Sequence, residues 1–160
     1  MPFVRMQGCK VLLADDSQED RFLTKRAMER QEVFRTVHES TEGRDVIHYL
    51  SGSGEYADRI KHPLPDLVLL DMHMPLHDGF EVLRWVNHSP LKGSVELIVF
   101  TASDHPAQMK LAMKLGALRC CRKPVDFDEL RDWATELAAE WRDNGQFRQA
   151  ACRSYLPVVF

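Results

Sequence analysis

Three aspartates, one threonine and one lysine stand where short apolar runs stop. Val11-Leu12-Leu13-Ala14 ends at Asp15-Asp16, and Leu67-Val68-Leu69-Leu70 ends at Asp71. Leu97-Ile98-Val99-Phe100 ends at Thr101, and the short run over 117–121 leads to Lys123-Pro124. Continuous apolar runs of this length predict strands buried on both faces, as in a parallel sheet. In an open parallel sheet, ligands bind outside the carboxyl ends of the strands, near the switch point in strand order. The three carboxylates, the hydroxyl and the ammonium are therefore expected on one edge. Neighbouring carboxylates repel one another, and such a cluster suits a hard cation with oxygen ligands. Mg2+ fits best, because it accepts one or two carboxylates and keeps waters and phosphate oxygens in its other positions. Lys123 adds a point charge for a phosphoryl oxygen, and Thr101 adds a hydroxyl donor. This is equipment for phosphoryl transfer by positioning and charge neutralisation.

The elements that must hold these groups alternate along the chain. A weaker strand is expected over 34–39, where Phe34, Thr36 and His38 alternate with Arg35 and Val37, and the fourth strand is expected over 95–100. Ser17 or Asp16 can cap a helix running to about Arg30, with Phe22, Leu23 and Ala27 inward. Further helices are expected over 42–50, from Asp78 or Gly79 to His88, and from a Ser103 or Asp104 cap to a stop at Gly116. In the last helix, Leu130, Trp133, Ala134, Leu137, Ala138 and Trp141 form a one-sided apolar stripe. Five strand–helix alternations predict an α/β fold: a doubly wound, five-stranded parallel sheet with helices on both faces. The segment 51–65, rich in Ser, Gly and Pro, reads as a long loop.

Composition narrows the field. The 160 residues, with 21 basic and 24 acidic side chains and a net charge of −3, suit one domain and give no electrostatic case for nucleic-acid binding. We expect that domain to span 1–143, with 144–160 a tail. No run reaches the roughly 18 apolar residues of a membrane span. The start lacks the order of a signal peptide. Cys9, Cys120, Cys121 and Cys152 form no CxxC pair, and a bridge between the adjacent pair would be strained. Reduced thiols in a cytoplasmic protein are expected.

The set Asp15-Asp16, Asp71, Thr101 and Lys123-Pro124 resembles the receiver domain of two-component response regulators, whose fold is flavodoxin-like. Asp71-Met72-His73-Met74-Pro75, with Asp78-Gly79 following, is similar to that family's phosphoacceptor loop. The resemblance covers about residues 8–143. It implies that Asp71 is the nucleophile that becomes an acyl phosphate, and that Asp16 binds Mg2+ directly. Asp15 would act through a water or more weakly, and the His73 carbonyl would complete the protein ligands. Thr101 would swing toward the phosphoryl group and Lys123 would pair with it. The residue two past the acceptor, His73, would tune the lifetime of the phosphorylated state. The sequence departs from the family at Cys120, where many receivers carry a Tyr or Phe that turns inward on activation. A thiol has no ring to rotate, so the signal is expected to travel through Thr101 and the loop after it.

The single-domain length and the 51–65 loop resemble the phytochrome-associated regulators. This implies a sensor histidine kinase as partner, a bacterial phytochrome in that subgroup, and a homodimer through the fourth helix, fifth strand and fifth helix. A histidine phosphotransfer protein is a further possible recipient of the phosphoryl group. The rival reading, a haloacid-dehalogenase-type Mg2+ phosphohydrolase, normally needs a second Asp two residues after the nucleophile, where this chain has His73. A receiver-like adaptor working without phosphate is disfavoured, because all five functional positions are filled. Pro75 lies between His73 and His77, so helical presentation of a zinc pair is not expected. On the fourth helix, Met109, Ala112, Met113 and Gly116 are assigned to the core, and Leu111 with Leu115 to an exposed contact face. The apolar end Tyr155 to Phe160 could dock on its own domain, extend a dimer or fray.

Overall fold

The computed structural model describes residues 8–102 and 105–147. Five strands, β1 (Cys9–Ala14), β2 (Phe34–Ser40), β3 (Leu67–Leu70), β4 (Glu96–Thr101) and β5 (Arg119–Arg122), pair in the order β2-β1-β3-β4-β5. Every neighbouring pair is parallel. The helices between them are α1 (Gln18–Glu29), α2 (Gly43–Ser51), α3 (Gly79–Asn87), α4 (Pro106–Lys114) and α5 (Phe127–Asn144). The doubly wound, flavodoxin-like α/β fold expected from the sequence is the fold observed.

Strand periodicity divides the core in two. Leu12 and Ala14 face the layer of α2, α3 and α4, where they meet Val46, Leu83 and Met109. Val11 and Leu13 face α1 and α5, where they meet Met28, Trp133 and Leu137. No helix among the described residues is long and apolar enough to cross a membrane.

Three expectations need correction. Phe22 does not point inward: it is 60% exposed, whereas Thr24, Ala27 and Met28 are buried. Those three residues fall at i, i+3 and i+4 and define the inner face of α1. Phe22 precedes Thr24 by two residues, about 200° around the axis, and so lies on the far side. Second, 51–65 is not a plain loop. It contains a one-turn 3-10 helix, Gly54–Tyr56, and the Arg59 guanidinium donates at 2.8 Å to the carbonyls of both Tyr49 and Leu50 at the end of α2. Carbonyls in the last turn of a helix lack i+4 partners; the arginine satisfies the Leu50 carbonyl and adds to the Gly52 N–H that the Tyr49 carbonyl accepts at 3.2 Å. Third, the Leu111–Leu115 stripe divides. Leu111 is 39% exposed, but Leu115 is half-buried against the core beneath α4, because the helix ends at Lys114 and Leu115 caps it.

The helix start after β4 also shifts. His105 is the N-cap of α4 and Pro106 is its first residue, a position where a missing N–H costs nothing. The candidate caps Ser103 and Asp104 lie outside the described residues, as do Cys152 and the chain from 148 to 160. Phe147, beyond the expected 1–143 domain, packs into the α1–α5 layer, where its ring stacks on that of Phe34 at 6.4 Å.

Candidate functional site

Strand register places the acidic residues side by side. Ala14 pairs with Leu70 across β1 and β3, so Asp15 and Asp71 leave the sheet as neighbours. The Asp71 N–H donates to the Ala14 carbonyl at 2.9 Å and prolongs the ladder by one step. Here β1 sends its connection to β2 on one side while β3 and β4 continue on the other, which is the switch point of the sheet.

One carboxylate oxygen from each of Asp15, Asp16 and Asp71 can be chosen so that all three lie within 4.8 Å of one another. Asp15 and Asp71 are buried and Asp16 is exposed. All the donors are anionic oxygens, so the residues present fit a hard divalent cation.

Asp71 is held at both oxygens. Its Oδ1 accepts from the Thr101 hydroxyl and from the His73 backbone N–H, each at 3.1 Å. Its Oδ2 accepts from Lys123 Nζ at 3.0 Å. Thr101 is fully buried as the last residue of β4, and Lys123 follows β5. The side chain of His73 is exposed. His77 does not join a His73 pair; its Nδ1 contacts Glu81 instead. All the predicted site residues thus meet at one sheet edge.

Lys123 is shared more widely than the sequence suggested. It forms ion pairs with Asp15 and, at 2.9 Å, with Asp20 on α1, a residue the motif reading missed. Asp20 lies in the first turn of α1, where its N–H donates to the capping Ser17 hydroxyl at 3.2 Å, so its carboxylate stays beside the strand ends. The same backbone is braced by Arg21, whose Nη1 donates to the Asp15 carbonyl at 2.8 Å.

The proton affinities reflect this crowding. Burial pushes the Asp15 carboxyl above the usual carboxylate range, against the opposing pull of Lys123. Burial also works to lower the Lys123 ammonium, but hydrogen bonds to Asp15 and Asp20 and the charge of Asp71 outweigh it and raise the value. Both shifts arise in one setting, a partly buried pocket with more negative than positive charge.

A flavodoxin-like α/β domain with an acidic pocket, a hydroxyl and an ammonium at the carboxyl edge of its sheet is the class that fold and site define. Within it, this chain belongs to the response regulator receiver domain family, whose sequence profile matches residues 11–135. The chain is 32% identical over 127 residues to sporulation initiation phosphotransferase F of Bacillus subtilis, a match covering 79% of this chain and 91% of that protein. Among solved structures, the phosphorylated cyanobacterial phytochrome response regulator RcpA shares the fold with a TM-score of 0.77 at 24% identity, covering 88% of this chain and 97% of that one. The Mn2+-bound form of response regulator Rcp1 does so with a TM-score of 0.71 at 24% identity, covering 85% and 96%.

Proposed function

We propose that this protein is a cytoplasmic receiver that accepts a phosphoryl group on Asp71 from a sensor histidine kinase and signals through protein contacts. The observation that carries this reading is the setting of Asp71: Thr101 and the His73 N–H on one oxygen, Lys123 on the other, and Asp15 and Asp16 alongside. A carboxylate so placed can form a P–O bond as the P–N bond of a phosphohistidine breaks. The electron pair leaves on the imidazole nitrogen, which takes a proton from solvent.

Asp15, Asp16, Asp71 and the His73 carbonyl would hold Mg2+, which when bound neutralises charge on the transferring phosphoryl oxygens. Lys123 contributes a fixed positive charge to the same oxygens, and Thr101 a hydroxyl donor. The acyl phosphate adds roughly −1.5 to −2 charge if it behaves like other phosphoryl groups. That charge competes with Asp15 and Asp20 for Lys123 and draws Thr101, so the loops after β4 and β5 respond.

Likeness to the phytochrome regulators supports a phytochrome-type histidine kinase as donor. Exposed Leu111 supports a homodimer through α4, β5 and α5, and a histidine phosphotransfer protein could take the group onward. The receiver body is placed at 1–143, and Phe147, beyond that boundary, packs against it.

Intact mass after incubation with acetyl phosphate and Mg2+ tests the proposal. We expect one added phosphoryl group on the wild type and none on Asp71→Asn. Absence of an adduct on the wild type would overturn the reading. Steady turnover of p-nitrophenyl phosphate would favour a hydrolase in its place.

A further inference from the structure

The first turn of α2 rests on the loop that follows the acceptor aspartate. The Gly43 N–H donates to the Pro75 carbonyl at 3.4 Å, and the Arg44 N–H donates to the Leu76 carbonyl at 2.8 Å. The loop they meet is bent: Leu76 and His77 have φ of 47° and 74°. Residues other than glycine hold this left-handed backbone only where their surroundings over-determine it. The approach leaves no room for a side chain. A Cβ on Gly43 would stand 2.6 Å from the His77 carbonyl carbon and nearer still to its oxygen. Both are backbone atoms, so either the helix or the loop would have to move.

The far end of the loop is tied separately. The Gly79 N–H donates to the Met72 carbonyl at 3.2 Å, and a Cβ on Gly79 would meet Met72 Cα at 2.8 Å. The turn of α2 is itself anchored to the end of β2, which bonds in turn to the residue that follows β1. Asp45 accepts from the Ser40 hydroxyl at 2.6 Å, and the Ser40 carbonyl accepts the Asp15 N–H at 2.9 Å. One helical turn thus touches the loop backbone on one side of the acidic pocket and is linked through Ser40 to the Asp15 N–H on the other.

We infer that Gly43 is a positioning residue of that pocket. By letting α2 sit against the His77 peptide, it sets the path of the 73–77 loop and with it the place of the His73 carbonyl relative to Asp15, Asp16 and Asp71. This rests on reading the pocket as a divalent-cation site.

Calorimetric titration of the full chain with Mg2+, with thermal unfolding alongside, tests the inference. The set compares wild type, Gly43→Ala, Gly93→Ala, His77→Gly and the double variant Gly43→Ala/His77→Gly. Gly93 also has a positive φ, of 84°, but has open space around it. Its replacement therefore strains the backbone without touching the loop. We expect Gly43→Ala to weaken Mg2+ binding about tenfold or more, as loss of outer-shell support typically does. Gly93→Ala should lower the melting temperature and leave the Mg2+ affinity unchanged. The double variant should regain part of the affinity, because glycine at 77 lets the peptide turn away. Should Gly43→Ala fail to fold, the double variant is compared with His77→Gly alone, and weaker binding in the double supports the inference. Unchanged affinity in that comparison or in Gly43→Ala, or an equal loss in Gly93→Ala, would overturn it. A wild type that binds no Mg2+ would sink the cation reading itself, whereas wild-type binding that Gly43→Ala leaves intact sinks only the role of Gly43.

Discussion

Lys123 Nζ lies 3.0 Å from an Asp71 carboxylate oxygen although 52 residues separate the two in the chain. The same ammonium also serves Asp15 and Asp20, so it is the positive centre that three carboxylates of the pocket share. Lys123→Ala should therefore destabilise the metal-free protein by about 3 kcal/mol at neutral pH, the usual cost of leaving partly buried charge unpaired. Mg2+ should recover much of that loss, since a ligand that binds only the folded state stabilises it. Urea unfolding with and without Mg2+ checks this; a variant that Mg2+ stabilises no more than wild type would contradict it.

Asp15 carries a pH signature. Its carboxyl holds a proton more tightly in the fold than in the unfolded chain, because burial disfavours its ionised form. The stability this contributes is complete below the ordinary carboxylate pKa of about 3.9 and is lost as pH rises through the raised folded value. Metal-free Asp15→Asn should thus be more stable than wild type at pH 7, with the difference shrinking on acidification. Its Mg2+ affinity should fall by more than about tenfold, as a pocket that loses one acidic donor binds less well. Thermal melts across pH, paired with Mg2+ titration, measure both effects.

Asp45 behaves in the opposite sense. Burial works to raise its carboxyl, but hydrogen bonds from Ser40, Tyr56 and His38 outweigh it and hold the value below the usual range. Its contribution to stability is present above the ordinary carboxylate pKa and is lost as pH falls through the folded one. Asp45→Ala would orphan the Ser40 hydroxyl, 2.6 Å away, and the Tyr56 hydroxyl, 2.5 Å away. We expect a loss of about 2–3 kcal/mol, in line with hydrogen bonds to a charged group. Tyr56→Phe should cost less. Equal stability of Asp45→Ala and wild type in urea would refute the account.

Cys120 sits under α4 with its thiol toward the Met109 carbonyl, 3.7 Å away, and burial pushes that thiol up to about 12. The thiolate is the reactive form. In a Cys152→Ser background, native protein should resist an aromatic disulfide reagent at pH 8, and urea should release reactivity. Installing the ring that many receivers carry should not restore a switch. Cys120→Tyr must place that ring where the thiol is 2% exposed, and overpacking costs about 1–3 kcal/mol. Strong phosphorylation-dependent association gained by Cys120→Tyr, with stability unchanged, would contradict this view.

Much of this was legible in the chain itself. The continuous runs 11–14, 67–70 and 97–100 are buried on both faces, and such strands need no alternation to be recognised. The stripe from Leu130 to Ala138 was equally clear, because a long helix repeats its period often enough to show it. The face of α1 was misread at Phe22 because two apolar neighbours, Phe22 and Leu23, leave the phase of a short helix open until Thr24 and Met28 are seen inside. The 51–65 segment was misread because its order comes from partners elsewhere: Arg59 on α2 carbonyls and Tyr49 Oη on the Pro63 carbonyl, 2.9 Å away.

For the site, residue types and their places at strand ends were enough to name Asp15, Asp16, Asp71, Thr101 and Lys123, since each follows an apolar run that must stop in a parallel sheet. Their distances and sharing were decided only by tertiary structure. The register Ala14 to Leu70 sets Asp15 beside Asp71, the rotation of α1 brings Asp20 to Lys123, and α2 sits on the loop at Gly43. Local sequence carries propensity and period, which act over a few residues. Register, helix rotation and the close approach of two backbones depend on packing between segments far apart along the chain, as in the Thr101–Asp71 and Lys123–Asp20 contacts at separations of 30 and 103, and only the folded chain brings such segments together.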